Sequence, residues 1–257
     1  MRRTEGPHLE ATAISVARGR HVVLRDVDLT LTGGQVVHLV GANGSGKTSL
    51  LRVCAGLGRP RSGRLQVDGG RAFVPAQVAL APAMRCGEWL ESMRALRGLE
   101  PLDWTAATAA GGLSSGLLRS PGRALSTGMM RRVALAEALC SESAMLFLDE
   151  PFSGLDAEGG DWLVAELRAR AEEGVAVLLT DHSGDAAGRL PVTHRFALEE
   201  GRIRVARPPD AIEASACVTI IATHGDGRRL RRTLASRDSD EQLRALLHEG
   251  WHIEAVG

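Results

Sequence analysis

Residues 41 to 48 of this 257-residue chain read Gly41-Ala42-Asn43-Gly44-Ser45-Gly46-Lys47-Thr48, a full match to G-x-x-x-x-G-K-[ST]. Ahead of them Gln35 to Val40 is short, apolar and β-branched, which suits a buried strand; after them Ser49 to Ala55 has the composition of a helix. A strand, a glycine loop and a helix leave the chain little freedom. The loop must turn sharply with successive N–H groups converging on phosphate oxygens, and the helix must point its positive end at the same place. Lys47 supplies a point charge there, and Thr48 a hydroxyl for a magnesium ion. Lys47 is also the only lysine in the chain, against 30 arginines. A chain that uses arginine elsewhere keeps lysine where a compact ammonium, not a planar fork, must fit between phosphates.

Composition bounds the rest. At this length and 44% hydrophobic content, the chain can bury one large core and carry a small appendage. Its 31 basic and 31 acidic residues cancel, so no overall field draws it to nucleic acid or to an anionic membrane surface. Cys54, Cys86, Cys140 and Cys217 show no metal or C-x-x-C spacing and read as isolated core residues in a reducing compartment. Met1 to Pro7 has no signal-peptide character, and no apolar run approaches about 18 residues. The expectation is a cytoplasmic protein that does not itself span a bilayer.

Short strand-like pieces at 13–16 and 27–32, then the strand into the phosphate loop, predict an antiparallel β subdomain ahead of the nucleotide core. Further strands are predicted at 64–67 and 72–74. From 84 to 124 the chain turns to Ala, Leu, Arg and Glu, and helices near 86–97 and 104–110 predict a helical insertion, within a subdomain of about 84–142. Ser126 is placed as the N-cap of a helix running through Leu139. Ala144 to Leu148 and Val175 to Leu179 are continuous apolar runs, the pattern of parallel strands buried on both faces, with a helix near 159–173 between them. Their polar ends, Asp149-Glu150 and Thr180-Asp181-His182, put a site at the carboxyl edge of a mainly parallel α/β sheet. Beyond Pro208-Pro209 the pattern resets. Strands at 217–221, 229–235 and 251–256, a turn at 224–227 and a capping box at Ser239 predict a small ββαβ appendage over 207–257.

Chemistry enters with the second acidic motif. A buried strand ending in Asp149 offers a carboxylate to the magnesium ion on the side opposite Thr48, and Glu150 is placed to polarise an attacking water. Five ordered elements then resemble the ATP-binding subunits of ABC transporters over residues 10–206: GANGSGKT at 41–48, Gln77, LSTGM at 125–129, LFLDEP at 146–151 with SGLD at 153–156, and His182. The resemblance implies a P-loop NTPase core over residues 8–206 that binds ATP and Mg²⁺. Gly41, Ala42, Asn43, Gly44, Ser45, Gly46, Lys47 and Thr48 would hold the phosphates. Thr48, Asp149 and Gln77 would stand at the metal, Glu150 would polarise the water, and His182 would contact the γ-phosphate. Ser126 and Gly128 would reach the γ-phosphate bound by a second copy, with Asp156 at the seam. The implied partners are a second ATPase subunit and an integral membrane permease, with the chain peripheral on the inner face of the membrane.

The chain departs from the family pattern in three ways. An aromatic ring usually stacks on adenine just before the strand at 22–24; Arg18 stands there and the chain has no tyrosine, which leaves ATP against GTP open. The signature reads Leu-Ser-Thr-Gly-Met where Leu-Ser-Gly-Gly-Gln is commoner, a spelling nearer to exporters of the ABC-2 type. Ala76 stands between Pro75 and Gln77. Two other readings fit the same motifs: a soluble ABC-type ATPase acting on ribosomes or DNA, and a nucleotide-binding regulator without turnover. A neutral surface charge, one cassette and an intact Glu150 and His182 favour the exporter ATPase.

Overall fold

The computed structural model describes residues 7–108, 111–181, 190–205, 217–224, 229–235 and 251–256, in two compact units, Met1–Val205 and Ala206–Gly257. The first unit opens with two long antiparallel strands, β1 (Pro7–Arg18) and β2 (His21–Thr32); β4 (Ser62–Val67) pairs on the other side of β1. The strand β3 (Val36–Val40), expected with this antiparallel group, lies instead in the central sheet. Its burial explains the choice: Val36 to Leu39 are all buried, so both faces of β3 need cover, whereas β2 alternates buried and exposed residues from Val27 to Leu31.

The central sheet has the order β5-β6-β7-β3-β8-β9, with β5 (Arg71–Val74), β6 (Met145–Leu148), β7 (Ala176–Thr180) and β8 (His194–Glu199) parallel to β3 where they pair. Only β9 (Arg202–Val205) runs antiparallel, closing the edge in a tight turn from β8. This last pair was not read from the sequence. One face of the sheet packs on β1, β2 and α1 (Lys47–Cys54), with Phe147, Leu178, Leu39 and Leu51 at the centre. The other packs on α5 (Thr127–Leu139) and α6 (Ala157–Glu172), through Leu135, Trp162, Leu163 and Leu167. A third cluster holds α2 (Cys86–Leu96), α3 (Trp104–Ala107) and α4 (Ser115–Arg119) against α5 through Leu90, Trp104, Leu113 and Val133.

Cys54, Cys86 and Cys140 are free thiols whose pKa values burial pushes up, that of Cys54 to about 12, which leaves them unreactive packing groups. No described helix is long and apolar enough to cross a membrane. The second unit contains a three-stranded antiparallel sheet, order β11-β10-β12, of β10 (Cys217–His224), β11 (Arg229–Ala235) and β12 (Trp251–Val256). The expected helix after Ser239 lies outside the described residues.

Candidate functional site

Sheet order brings the acidic strand end and the phosphate loop together. Strand β7 lies between β6 and β3, and its register sets Leu148 beside Leu179 and Leu39 beside Thr180. The residues that follow, Asp149 and the 41–48 loop, therefore flank the end of β7. Asp149 is 1% exposed and takes a threonine hydroxyl on each carboxylate oxygen: Thr48 Oγ1 donates to Oδ2 at 2.7 Å and Thr180 Oγ1 to Oδ1 at 2.8 Å. Thr180 Oγ1 also accepts the Glu150 N–H at 2.9 Å. Glu150 is half-buried in left-handed backbone (φ 51°), a conformation a non-glycine residue keeps only where surrounding contacts hold it.

The phosphate loop enters α1 through Gly46, whose φ of 110° and close approach to Val23 and Leu24 exclude a side chain: a Cβ would lie 2.9 Å from both. Lys47 is 7% exposed; its Nζ donates to the carbonyls of Gly41 (2.6 Å) and Ala42 (3.0 Å). Burial lowers its pKa, while the carboxylates of Glu150 and Asp149 act in the opposite sense. The buried Ser45 hydroxyl has no hydrogen-bond partner among the described residues. A hydroxyl without a described partner and an ammonium donating to two carbonyls are groups a polyphosphate would satisfy. Thr48 and Asp149 give a hydroxyl and a carboxylate, both hard oxygen donors. No trio of His, Cys, Asp or Glu able to hold a metal occurs among the described residues. The hydroxyl of Thr48 and the carboxylate of Asp149 would suit magnesium, a hard cation that takes oxygen ligands.

Beside the loop lies an open cleft of about 610 Å³, lined by His21, Val23 and Arg25 of β2, Gly44 and Ser45 of the loop, and Glu200 and Arg202 of the β8–β9 turn. Arg18 is exposed at the end of β1, paired across the hairpin with His21, and is not part of that lining. Sequence reading passed over His21. In the strand that leads into the loop, His38 of β3 is fully buried; its Nδ1 accepts from Arg195 Nε at 3.2 Å. Desolvation and the Arg195 charge, against a smaller opposing effect of Asp181, push its pKa down to about 4, so it stays neutral.

At the start of α5, Ser126 caps the helix by accepting the Met129 N–H at 3.2 Å, and Ser126, Thr127 and Met129 are exposed. Gly128 has a task within the chain as well: a Cβ there would meet the Gly154 carbonyl at 2.5 Å. Asp156 caps α6 through the Gly159 N–H (2.8 Å) and pairs with Arg132, and both contacts keep its carboxyl ionised below the usual range. One turn on, the buried Arg131 donates to the carbonyls of Pro75 (2.6 Å) and Ala76, tying α5 to the segment that ends in Gln77, which is exposed. The structure thus gathers the 41–48 loop, Asp149 and Glu150 at one sheet edge. Ser126, Gly128 and Asp156 form a second group, and Gln77 follows β5, whose last residue Val74 accepts the Asp149 N–H at 2.9 Å. His182 lies outside the described residues. Thr180 and Arg131 are the polar residues of this region that sequence reading left without a role; a polar residue ending a buried strand was the only signal for Thr180.

Comparison with known proteins bears on the same residues. The ABC transporter family model matches residues 24–153. The "Cytochrome c biogenesis ATP-binding export protein CcmA" of Hyphomonas neptunium is 34% identical over 197 residues, covering 75% of this chain and 97% of that protein. The "Zinc import ATP-binding protein ZnuC" of Alkalilimnicola ehrlichii is 35% identical over 224 residues, covering 80% of each. Among solved structures, a dimeric bacterial ABC transporter cassette superposes with a TM-score of 0.70 at 20% identity, over 78% of this chain and 99% of that one.

Proposed function

The chain belongs to the ABC transporter family and is an ATPase subunit of a transporter; we propose that it hydrolyses ATP with magnesium in a head-to-tail pair of subunits and thereby drives export through a membrane permease. The observation that carries the site assignment is the 2.7 Å hydrogen bond from Thr48 to Asp149, which joins the phosphate loop to the acidic strand end. Thr48 and Asp149, with Gln77 nearby, would hold Mg²⁺, which when bound neutralises charge on the transferring phosphoryl group.

The remaining tasks fall to side chains and backbone. Lys47 gives up the carbonyls of Gly41 and Ala42 for phosphate oxygens, and Ser45 and the loop N–H groups complete the cradle. Glu150 orients a water for attack on the γ-phosphorus and accepts its proton. His182 contacts the γ-phosphate. The outer end of α5, with Ser126 and Gly128, addresses the γ-phosphate held by the facing subunit, and Asp156 lies at the seam. Exposure of Ser126, Thr127 and Met129 supports this, as does the dimeric state of the cassette with the same fold. ATP then closes the pair, hydrolysis opens it, and the permease follows. The ATPase reading attaches to residues 8–206, and 207–257 form an accessory domain.

Export is supported by the Leu-Ser-Thr-Gly-Met spelling and by a relative named for export; import has its own support in the zinc-import relative. The permease resting on this chain therefore decides direction. Proteoliposomes carrying the complex, with ATP on the ATPase side only, separate the two: cargo moves away from ATP in an exporter and toward it in an importer. For hydrolysis itself, purified chain should consume ATP steadily and Glu150→Gln should not; equal rates would remove Glu150 from its assigned role.

A further inference from the structure

Thr180 does more than end a strand. It is fully buried, and its single hydroxyl is used twice, donating to Asp149 Oδ1 at 2.8 Å and accepting the Glu150 N–H at 2.9 Å. One side chain on β7 thereby fixes both acidic residues at the end of β6. The other oxygen of Asp149 is held by Thr48, whose hydroxyl is also the group assigned to magnesium. A hydroxyl has one proton and two lone pairs, so Thr48 can ligate a metal through its oxygen and still donate to Oδ2. Thr180 has no task assigned at the metal, and its two hydrogen bonds both serve the acidic pair.

We propose that Thr180 is a positioning residue of the ATPase reaction: it holds Oδ1 while Thr48 holds Oδ2 and so keeps the Asp149 carboxylate aimed at the metal side, and it clamps the Glu150 backbone in its left-handed conformation. Both effects come from the hydroxyl, not from the methyl group. Without it, Asp149 Oδ1 loses its donor, the Glu150 N–H loses its acceptor, and the peptide carrying the catalytic carboxylate relaxes from φ 51°. Groups that orient a metal-linked carboxylate typically cost about 10- to 100-fold in metal affinity or activity when removed.

This rests on Asp149 and Glu150 serving hydrolysis, and the experiment separates the two. Wild type, Thr180→Val, Thr180→Ser, Thr180→Ala and Glu150→Gln are compared as full-length chains. Three quantities are read: ATP turnover against Mg²⁺ concentration, Mn²⁺ affinity by electron paramagnetic resonance with a non-hydrolysable ATP analogue, and melting temperature. Thr180→Val and Thr180→Ala should lower kcat and weaken Mn²⁺ binding by about 10-fold or more with KM for ATP little changed, and Thr180→Ser should recover most of both. If Val fails to fold, the Ser and Ala pair still differs only in the hydroxyl. Wild-type kcat and Mn²⁺ affinity in Thr180→Ala, or losses as deep in Ser as in Ala, would overturn the proposal. Wild-type turnover in Glu150→Gln would instead overturn the underlying site assignment.

Discussion

The end of β7 and the start of α5 are both lined by polar residues, yet they are built in opposite ways. At the sheet edge the polar groups face inward and satisfy one another: Asp149 holds two threonine hydroxyls, Lys47 two carbonyls, and Thr180 two partners, all largely out of water. At the start of α5 the backbone is just as firmly held, by the Ser126 cap, by Gly128 against Gly154 and by Arg132 on Asp156, but Ser126, Thr127 and Met129 are exposed. One region is a closed cluster of buried polar groups; the other is a firmly held tip with its first residues exposed. The difference supports the proposed composite site, because an exposed helix N-terminus gains from an anion brought to it by another molecule.

Substitutions sharpen that contrast, beginning with the largest effect. Lys47→Ala, on the inner side, should reduce ATP turnover about 100- to 1,000-fold and weaken nucleotide binding to the isolated chain, read by titration with a fluorescent ATP analogue. Retained binding and turnover would mean that the buried amine does not serve the phosphates.

Next comes the acid response of the inner side. The His38 pKa in the folded chain is about 4 against an ordinary value of 6.5, so below pH 6.5 the unfolded state binds a proton that the folded state refuses. Stability should therefore fall as pH drops from about 6.5 to about 4, by roughly 3 kcal/mol, and flatten below. Urea unfolding across that range checks it. His38→Gln should remove this part of the slope, and an unchanged slope would assign it to other groups.

Smaller effects belong to the outer tip. Gly128→Ala must move the Gly154 backbone or the helix and should cost about 1–3 kcal/mol in denaturant unfolding. A neutral result would show that this approach relaxes freely. Ser126→Ala should cost about 1 kcal/mol through loss of the cap. It should leave nucleotide binding to a single chain intact while turnover drops, which is the signature separating the two regions.

Much of the inner site was legible because it is local in sequence. The 41–48 loop and the apolar runs into Asp149 and Thr180 carry their own strand and helix context, and Ser126 was readable as a cap. What depends on sheet order was not. Nothing in the sequence says that β7 lies between β6 and β3, so Thr180 passed as an ordinary strand end. The β1–β2 hairpin is far longer than the fragments 13–16 and 27–32 suggested, because register shifts around Ala13 and Asp26, both at positive φ, break the two-residue alternation. The same hairpin puts His21, rather than Arg18, on the cleft beside the loop. The β8–β9 pair escaped notice as well, although Glu200 and Arg202 complete that cleft. Gly128, read only for its reach toward a second subunit, also packs on its own chain.

The composite site is tested most directly by trapping it. Glu150→Gln chain with ATP and Mg²⁺, passed over a size-exclusion column with light scattering, should elute at twice the 27.3 kDa mass of one chain and return to one chain when nucleotide is withdrawn. The same chain carrying Ser126→Arg should bind ATP and stay at the lower mass. A Glu150→Gln chain that remains at 27.3 kDa with ATP fully bound would contradict the account.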